Sequence, residues 1–297
     1  MLGSASSVPT RHRNHNGYFL RWDDAGLLFD PGEGTQRQCT LAGVSPADVS
    51  RICVTHFHGD HCLGLPGMIL RVANSGGRLP IPIHYPASGE SWFGRLRFAT
   101  IGQDEVPVDA LPVTGDGMVE IHRAATWTLS AARLNHRVDA FGYRLAEHDG
   151  HRMVPERLAA LGVVGVDVGR LQREGHVMVD GRTVRLDEVS EPRRGQVFAF
   201  VMDTAWCDAA VELASGADLL VCESTFLDAD AELASRYGHL TPRQAGRVAA
   251  EAGARRLLLT HFSARYTDMQ PFVDEAASEF AGEVAVADDL MRMAITR

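Results

Sequence analysis

The run His56-Phe57-His58-Gly59-Asp60-His61 follows directly on the apolar stretch Ile52-Cys53-Val54. It constrains the fold more than any other feature, because it needs a buried strand that delivers several metal-ligand side chains to one point. His-X-His spacing puts two imidazoles on one side of an extended segment. Asp60 and His61 then open the next helix, expected from Asp60 through Leu70 with a kink or early break at Pro66-Gly67. Such a cluster can hold two metal ions sharing a bridging oxygen, an arrangement suited to attack on phosphate esters and acyl groups. It supplies too few ligands for two metals, so partners are required elsewhere in the chain.

The partners occur in a repeated local context. Val197-Phe198-Ala199-Phe200-Val201-Met202 reads as a buried strand ended by Asp203, and Arg256-Leu257-Leu258-Leu259-Thr260 as another ended by His261. Thr128–Leu134 leads to His136, and Leu219-Leu220-Val221-Cys222 runs into Glu223. In α/β folds the loops at the carboxyl ends of strands gather into one crevice. The shared placement of these residues, rather than any one of them alone, points to a site.

The same residues carry a resemblance to a known family. The order His-X-His-X-Asp-His, a later His, an Asp and a final His resembles the metallo-β-lactamase superfamily. Within it the chain resembles the ribonuclease Z family, endonucleases that mature tRNA 3′ ends. Supporting segments are Pro9-Thr10-Arg11-His12-Arg13-Asn14, Asp30–Gln38 with its Gly32-Glu33-Gly34-Thr35-Gln36, Leu134-Asn135-His136-Arg137 and Phe141-Gly142-Tyr143-Arg144. Glu223-Ser224-Thr225-Phe226, His239-Leu240-Thr241 and Thr260–Tyr266 complete the set, so the resemblance runs over nearly the whole chain. It implies an α/β fold, the metallo-β-lactamase αββα sandwich, as a single domain over residues 1–297 with an inserted tRNA-binding arm at 150–195.

The resemblance also implies roles. Two zinc ions per chain would be held by His56, His58 and His136 and by Asp60, His61 and His261, with Asp203 bridging. Asp60 would also accept a proton, and His239, supported by Glu223, would donate one to the leaving oxygen. The expected reaction removes the 3′ trailer of precursor tRNA, in a cytoplasmic homodimer. A small-molecule phosphodiesterase or hydrolase of the superfamily would keep every ligand without needing an arm. A non-catalytic RNA-binding protein would not need the full ligand set. A flavodiiron-type oxidoreductase is disfavoured, because its motif carries Glu at the position of His58.

Charge limits how RNA can bind. The net charge is −9, the wrong sign for attraction over the whole surface. The chain contains no lysine, and all 29 basic residues are arginines, whose forks suit phosphate geometry. Binding is therefore expected at a local arginine patch and to be salt-sensitive. The segment Met153–Gly175 resembles the family's arm, a short helix with a Gly-rich extension. It departs from the family pattern at Gly165-Val166 and Arg170-Leu171-Gln172 but keeps Arg170 and Arg173 as a basic face.

The remaining expectations concern organisation. No stretch approaches the roughly 18 unbroken apolar residues of a membrane-spanning helix, and Met1–Asn16 lacks an apolar leader core. Cys39, Cys53, Cys62, Cys207 and Cys222 form no CxxC pair and fit a reducing compartment. In the family that the chain resembles, Leu2–Ala5 follows a first strand, so that strand is expected here to be either short or cut by a late start assignment. Tyr18–Trp22 and Leu27–Phe29 read as a hairpin around Asp23–Gly26. Pro80–Pro86 reads as a strand with His84 structural in it, followed by a helix near Trp92–Thr100. Further helices are expected at Asp208–Ser215, Thr241–Ala252 and Phe272–Phe280.

Overall fold

A computed structural model describes residues 1–296. Its chain forms two compact units: one of residues 1–123, 129–145 and 197–297, the other of 124–128 and 146–196.

The larger unit is built on two sheets. The first runs in the order β1 (Tyr18–Trp22), β2 (Ala25–Phe29), β3 (Arg51–Cys53), β4 (Ile81–Pro86), β5 (Val108–Val113). β1 and β2 are the expected antiparallel hairpin, turned tightly at Asp23-Asp24, with Ala25 and Gly26 already in the second strand. The other pairings in this sheet are parallel. The second sheet contains β6 (Val119–Arg123), β7 (Trp127–Leu134) and β8 (Ala140–Glu147), and its later strands come from the end of the chain.

Between β8 and those later strands the chain builds the smaller unit. Here β9 (Gly150–Met153) pairs with β12 (Ser190–Arg193), and β10 (His176–Val179) with β11 (Arg182–Arg185) across Asp180-Gly181. Helices Pro155–Ala160 and Val166–Glu174 lie between β9 and β10. Val163, Leu171, Val177, Val184 and Val189 form its own buried cluster. Over Met153–Gly175, where a short helix with a Gly-rich extension is expected, the chain forms two helices, and the hairpin and a short helix, Leu186–Val189, follow. The cross-strand pair Val177 and Val184 needs a partner face, and Val163 and Leu171 provide it.

β13 (Val197–Val201), β14 (Leu219–Glu223), β15 (Arg256–Thr260) and β16 (Glu283–Val286) pair in parallel and complete the second sheet in the order β16-β15-β14-β13-β8-β7-β6. β13 and β14 are buried at every position. Covered on both faces, such strands read as continuous apolar runs. The sheets meet through aromatic rings: Phe29 lies 4.9 Å from Phe200, 5.8 Å from Phe198 and 5.7 Å from Tyr143. Helices close the outer faces. On Leu65–Asn74 the residues Leu65, Met68, Ile69 and Val72 share one stripe and pack with Ile52 and Ile83.

Several boundaries differ from expectation for local reasons. The helix expected from Asp60 to Leu70 is two, Gly59–Cys62 and Leu65–Asn74. Pro66 sits in the first turn of the second helix, where its missing N–H is not needed, so it starts a helix rather than kinking one. The break is at Gly64, whose N–H donates to Pro31 O and where a Cβ would sit 2.0 Å from Gly32 O. Glu90–Arg97, Asp208–Ala214, Pro242–Glu251 and Gln270–Ala277 match the other helices within a few residues. Thr241 caps the third of these, accepting from Gln244 N. Leu2–Ala5 makes isolated bridges, Gly3 to Gly17 and Ala5 to both His15 and Phe262, rather than a regular strand.

Candidate metal centre

The site forms where the strands of the larger unit end. Asp30 follows β2, Asp203 lies just beyond β13 and His261 follows β15, and all three have positive φ (45°, 35° and 63°). Left-handed backbone is uncommon outside glycine and collects at functional sites, where the surrounding structure over-determines it. Here the sharp reversal swings each side chain off the strand end and into a common centre.

The sequence-nominated ligands gather there in overlapping groups. Ligand atoms of His56, His58, His136 and Asp203 lie within 4.8 Å of one another, as do those of Asp60, His61 and His261, and those of Asp203, His239 and His261. His56 Nε2 faces His58 Nδ1 at 2.8 Å, and His136 Nε2 faces the same atom at 3.4 Å. Asp203 straddles the groups. Its Oδ1 lies 3.1 Å from His261 Nε2 and 3.3 Å from His61 Nε2, while Oδ2 lies 3.5 Å from His56 Nε2 and 3.8 Å from His136 Nε2. Asp60 Oδ2 approaches His61 Nε2 at 3.3 Å and His261 Nε2 at 3.5 Å.

The outward-facing nitrogens explain this orientation. His61 Nδ1 donates to Asp30 Oδ2 at 2.8 Å, His136 Nδ1 to Gly238 O at 2.9 Å, and His261 Nδ1 to Thr225 Oγ1 at 2.7 Å. Thr55 Oγ1 donates to Asp30 Oδ2, so His56 Nδ1 donates to Thr55 Oγ1 at 3.0 Å. With the proton fixed outside, each Nε2 turns a lone pair inward, the tautomer a metal ligand needs. His58 is the exposed member and marks the open side.

Electrostatics agree with a cation site. Burial holds the His56, His58 and His136 imidazoles neutral, below the ordinary histidine range. Burial acts the same way on His61, but Asp203, Asp60 and Asp30 overcome it and raise its affinity for a proton. Despite burial, the surrounding imidazoles hold Asp60 and Asp203 well below the usual carboxylate range. Asp203 Oδ1 and His261 Nε2 are buried polar atoms without a hydrogen-bond partner among the described residues. Buried polar groups are seldom left so, and a divalent cation would satisfy both. The donor set of imidazoles and carboxylates fits zinc chemistry.

Beside the centre, His239 Nδ1 donates to Glu223 Oε1 at 2.9 Å. Glu223 is fully buried, and its carboxylate also accepts from Thr204 N, Thr225 N and Thr225 Oγ1. Burial lowers the pKa of His239, yet Glu223 and Asp203 outweigh it and push it up to about 9. Sequence reasoning missed Asp30, Thr55, Thr225 and the Gly238 carbonyl as orienting groups. Asp30 ends an apolar strand, as Asp203 ends another, and that shared pattern was the available signal. His84 is buried against Arg51, 2.5 Å from its Nη1, and faces no ligand. Arg170 and Arg173 lie exposed on helix Val166–Glu174 of the smaller unit, with Arg170 Nε 3.4 Å from Glu174.

Comparison with known proteins decides the family. The profile of the metallo-beta-lactamase superfamily matches residues 10–131, and that of the beta-lactamase superfamily domain matches residues 189–262. The ribonuclease Z of Nocardia farcinica is 56% identical over 293 residues, covering 99% of this chain and 96% of that one. The ribonuclease Z of Streptomyces coelicolor is also 56% identical, over 100% of this chain and 97% of its own. The chain belongs to the ribonuclease Z family. Its fold is that of the family's solved human member, tRNase Z short form, with a TM-score of 0.68 at 25% identity over 100% of this chain and 98% of that one. As in that family, the fold is the metallo-β-lactamase α/β sandwich that the resemblance implies.

Proposed function

We propose that this chain is a metal-dependent endoribonuclease that removes the 3′ trailer of tRNA precursors. The products are a 3′-OH on the tRNA and a 5′-phosphate on the trailer. The observation that carries the reading is full-length identity of 56% to proteins named ribonuclease Z. The His and Asp clusters supply a site for the chemistry.

His56, His58 and His136 would hold one zinc ion, Asp60, His61 and His261 a second, and Asp203 both. Two such ions, when bound, supply Lewis acidity toward the scissile phosphate and lower the pKa of nearby water. The protein's own groups do the rest. Asp60 takes up the proton released as water attacks. His239 carries its other ring proton on Nε2, because Nδ1 is held by Glu223, and delivers it to the departing ribose 3′ oxygen. Asp30, Thr55, Thr225 and Gly238 O keep the ligating rings in register. Arg170 and Arg173, on an arm within the smaller unit, contact tRNA phosphates. We further read the enzyme as a cytoplasmic homodimer. Five free cysteines favour that compartment, and no helix among the described residues is long and apolar enough to cross a membrane.

The test compares a precursor tRNA, an aryl phosphodiester and a cyclic nucleotide as substrates of the zinc-loaded protein. Cleavage at the 3′ end of the tRNA body, at a kcat/KM far above that for the other two, is expected. Hydrolysis of the small diesters with the precursor left intact would overturn the assignment.

A further inference from the structure

Beside His239 lies a group of rings and guanidinium groups, Phe226 buried and Tyr237 exposed, that the chemistry above does not use. Phe226 and Tyr237 stack with centroids 6.3 Å apart and planes at 24°, and Phe226 lies 6.0 Å from the His239 ring. Arg265 sits 5.2 Å over Phe226, and Arg137 and Arg236 each lie 5.7 Å from the Tyr237 centroid. Arg265 is paired with Asp230 at 3.2 Å. Arg137 and Arg236 have no carboxylate partner among the described residues, and both are exposed.

Tyr237 is 38% exposed and its hydroxyl bonds to no described residue, so neither core packing nor a hydrogen bond accounts for it. Its position is nevertheless fixed. It ends helix Ala231–Tyr237, and the next residue, Gly238, takes φ of 74°. That left-handed turn aims the Gly238 carbonyl at His136 Nδ1 and brings the chain to His239 one residue later. The His136 and His239 rings are 5.3 Å apart. The tyrosine is thus tied through two short backbone links to a ligand and to the proton donor.

We propose that Tyr237, with Arg137 and Arg236, forms a subsite for one nucleotide flanking the scissile phosphate. The base lies against the tyrosine ring, and the guanidinium groups take the adjoining phosphates. This rests on the trailer-removal reading and adds to it the element that grips RNA at the cut itself. Stacking suits an enzyme that must accept many precursors, because every base has a π face. The arginines suit a protein whose overall charge of −9 repels RNA, since unpaired guanidinium groups give phosphates a local anchor.

The test is steady-state cleavage of precursor tRNA by Tyr237→Ala, Tyr237→Phe and the native enzyme. Three substrates are used: intact, abasic just 5′ of the cut, and abasic just 3′ of it. Tyr237→Ala should raise KM for the intact RNA by roughly 5- to 150-fold, the worth of one stacked base, with a smaller change in kcat. Tyr237→Phe should stay close to the native value, which separates lost stacking from a damaged fold. One of the two abasic substrates should cost the native enzyme a similar factor and cost Tyr237→Ala little more. Arg137→Ala with Arg236→Ala should flatten the dependence of log KM on log salt by about 1 to 2. An unchanged KM in Tyr237→Ala, or penalties that multiply on both abasic substrates, would overturn the subsite while leaving trailer removal standing. Failure of the native enzyme on the intact precursor would overturn both.

Discussion

The metal centre and the smaller unit solve opposite problems with the same residue types. At the centre, the carboxylates and every histidine except His58 are buried or half-buried, and four imidazoles have their outer nitrogens tied to named acceptors. In the smaller unit, the ionic groups lie outside a core of five buried side chains and pair at the surface, as in Arg152–Glu191, Arg182–Glu188 and Arg170–Glu174. Ligation tolerates little displacement, so its groups are over-determined. Phosphate contact, proposed for the smaller unit, needs charge that water and RNA can reach, and its charged groups lie at the surface. The contrast teaches that substitutions in the first region should change what is bound and how fast it reacts. Those in the second should change how tightly RNA is held and how salt weakens it.

The largest effect should come from Asp203, the carboxylate that touches both ligand groups. In Asp203→Ala, zinc content measured by mass spectrometry should fall toward zero and turnover with it. The loss of affinity should exceed the roughly 10–100-fold that removal of an outer-shell partner costs. Asp30→Asn should show that smaller loss, since it weakens the support of His61 directly and of His56 through Thr55. Asp60→Ala should abolish turnover yet keep at least one ion, because His56, His58, His136 and Asp203 remain together. Two tightly held ions in Asp203→Ala would break the bridging assignment.

A smaller and more selective effect belongs to His239. General acid catalysis is worth roughly 10²–10⁴-fold and matters most when the leaving oxygen is basic. His239→Ala should therefore slow precursor cleavage far more than hydrolysis of an aryl diester, with Glu223→Gln a weaker version. In metal-free protein the His239 imidazole should titrate at about 9 by NMR, raised by Glu223 and Asp203. The sign follows from a raised pKa. The acid form and its ion pair are fully present below the ordinary histidine value and are lost as pH rises through the folded value. Cations bound nearby oppose the imidazolium and should move that midpoint down. The alkaline limb of kcat/KM should follow His239 and vanish in His239→Ala; equal losses on both substrates would assign the pair a structural role instead.

How much of this was legible in the sequence depended on the range of the interaction. Asp203, His261 and Glu223 could be read because an apolar run stopping at a polar residue is a local signal, and parallel strands end on one edge. His239 came only from its flanking residues. Thr55 and Thr225 could not be read, since a threonine's partner is decided by which strand lies beside it. Thr225 bonds His261, 36 residues away, and Gly238 bonds His136, 102 residues away. Pro66 misled for a related reason. Its meaning turned on Gly64, and Gly64 breaks the helix only because the chain near Gly32 passes against it. In the smaller unit the two helices and the hairpin depend on five valines and leucines closing over one another, which no local spacing announces.

The smallest effect, and the sharpest test of the contrast, lies in Arg170 and Arg173. Both are exposed on helix Val166–Glu174, but among the described residues only Arg170 has a carboxylate within reach, Glu174 at 3.4 Å. If they hold tRNA phosphates, Arg170→Ala with Arg173→Ala should raise KM for precursor tRNA several-fold with little change in kcat. The salt dependence should flatten by about 1 to 2, because two fewer contacts release fewer counterions. The single variants should differ. Arg173→Ala removes a free cation, whereas Arg170→Ala removes one already half-neutralised, so the first should cost more. Glu174→Ala should act in reverse, freeing Arg170 and lowering KM at low salt. An exposed pair of this kind contributes little to folding, so these changes should leave thermal stability nearly as it was. A KM and a salt slope unmoved by the double variant would show that the basic face of this helix is ordinary solvated surface. Recognition of the RNA would then rest on the arginines and tyrosine beside the centre, and the two regions would no longer divide chemistry from grip.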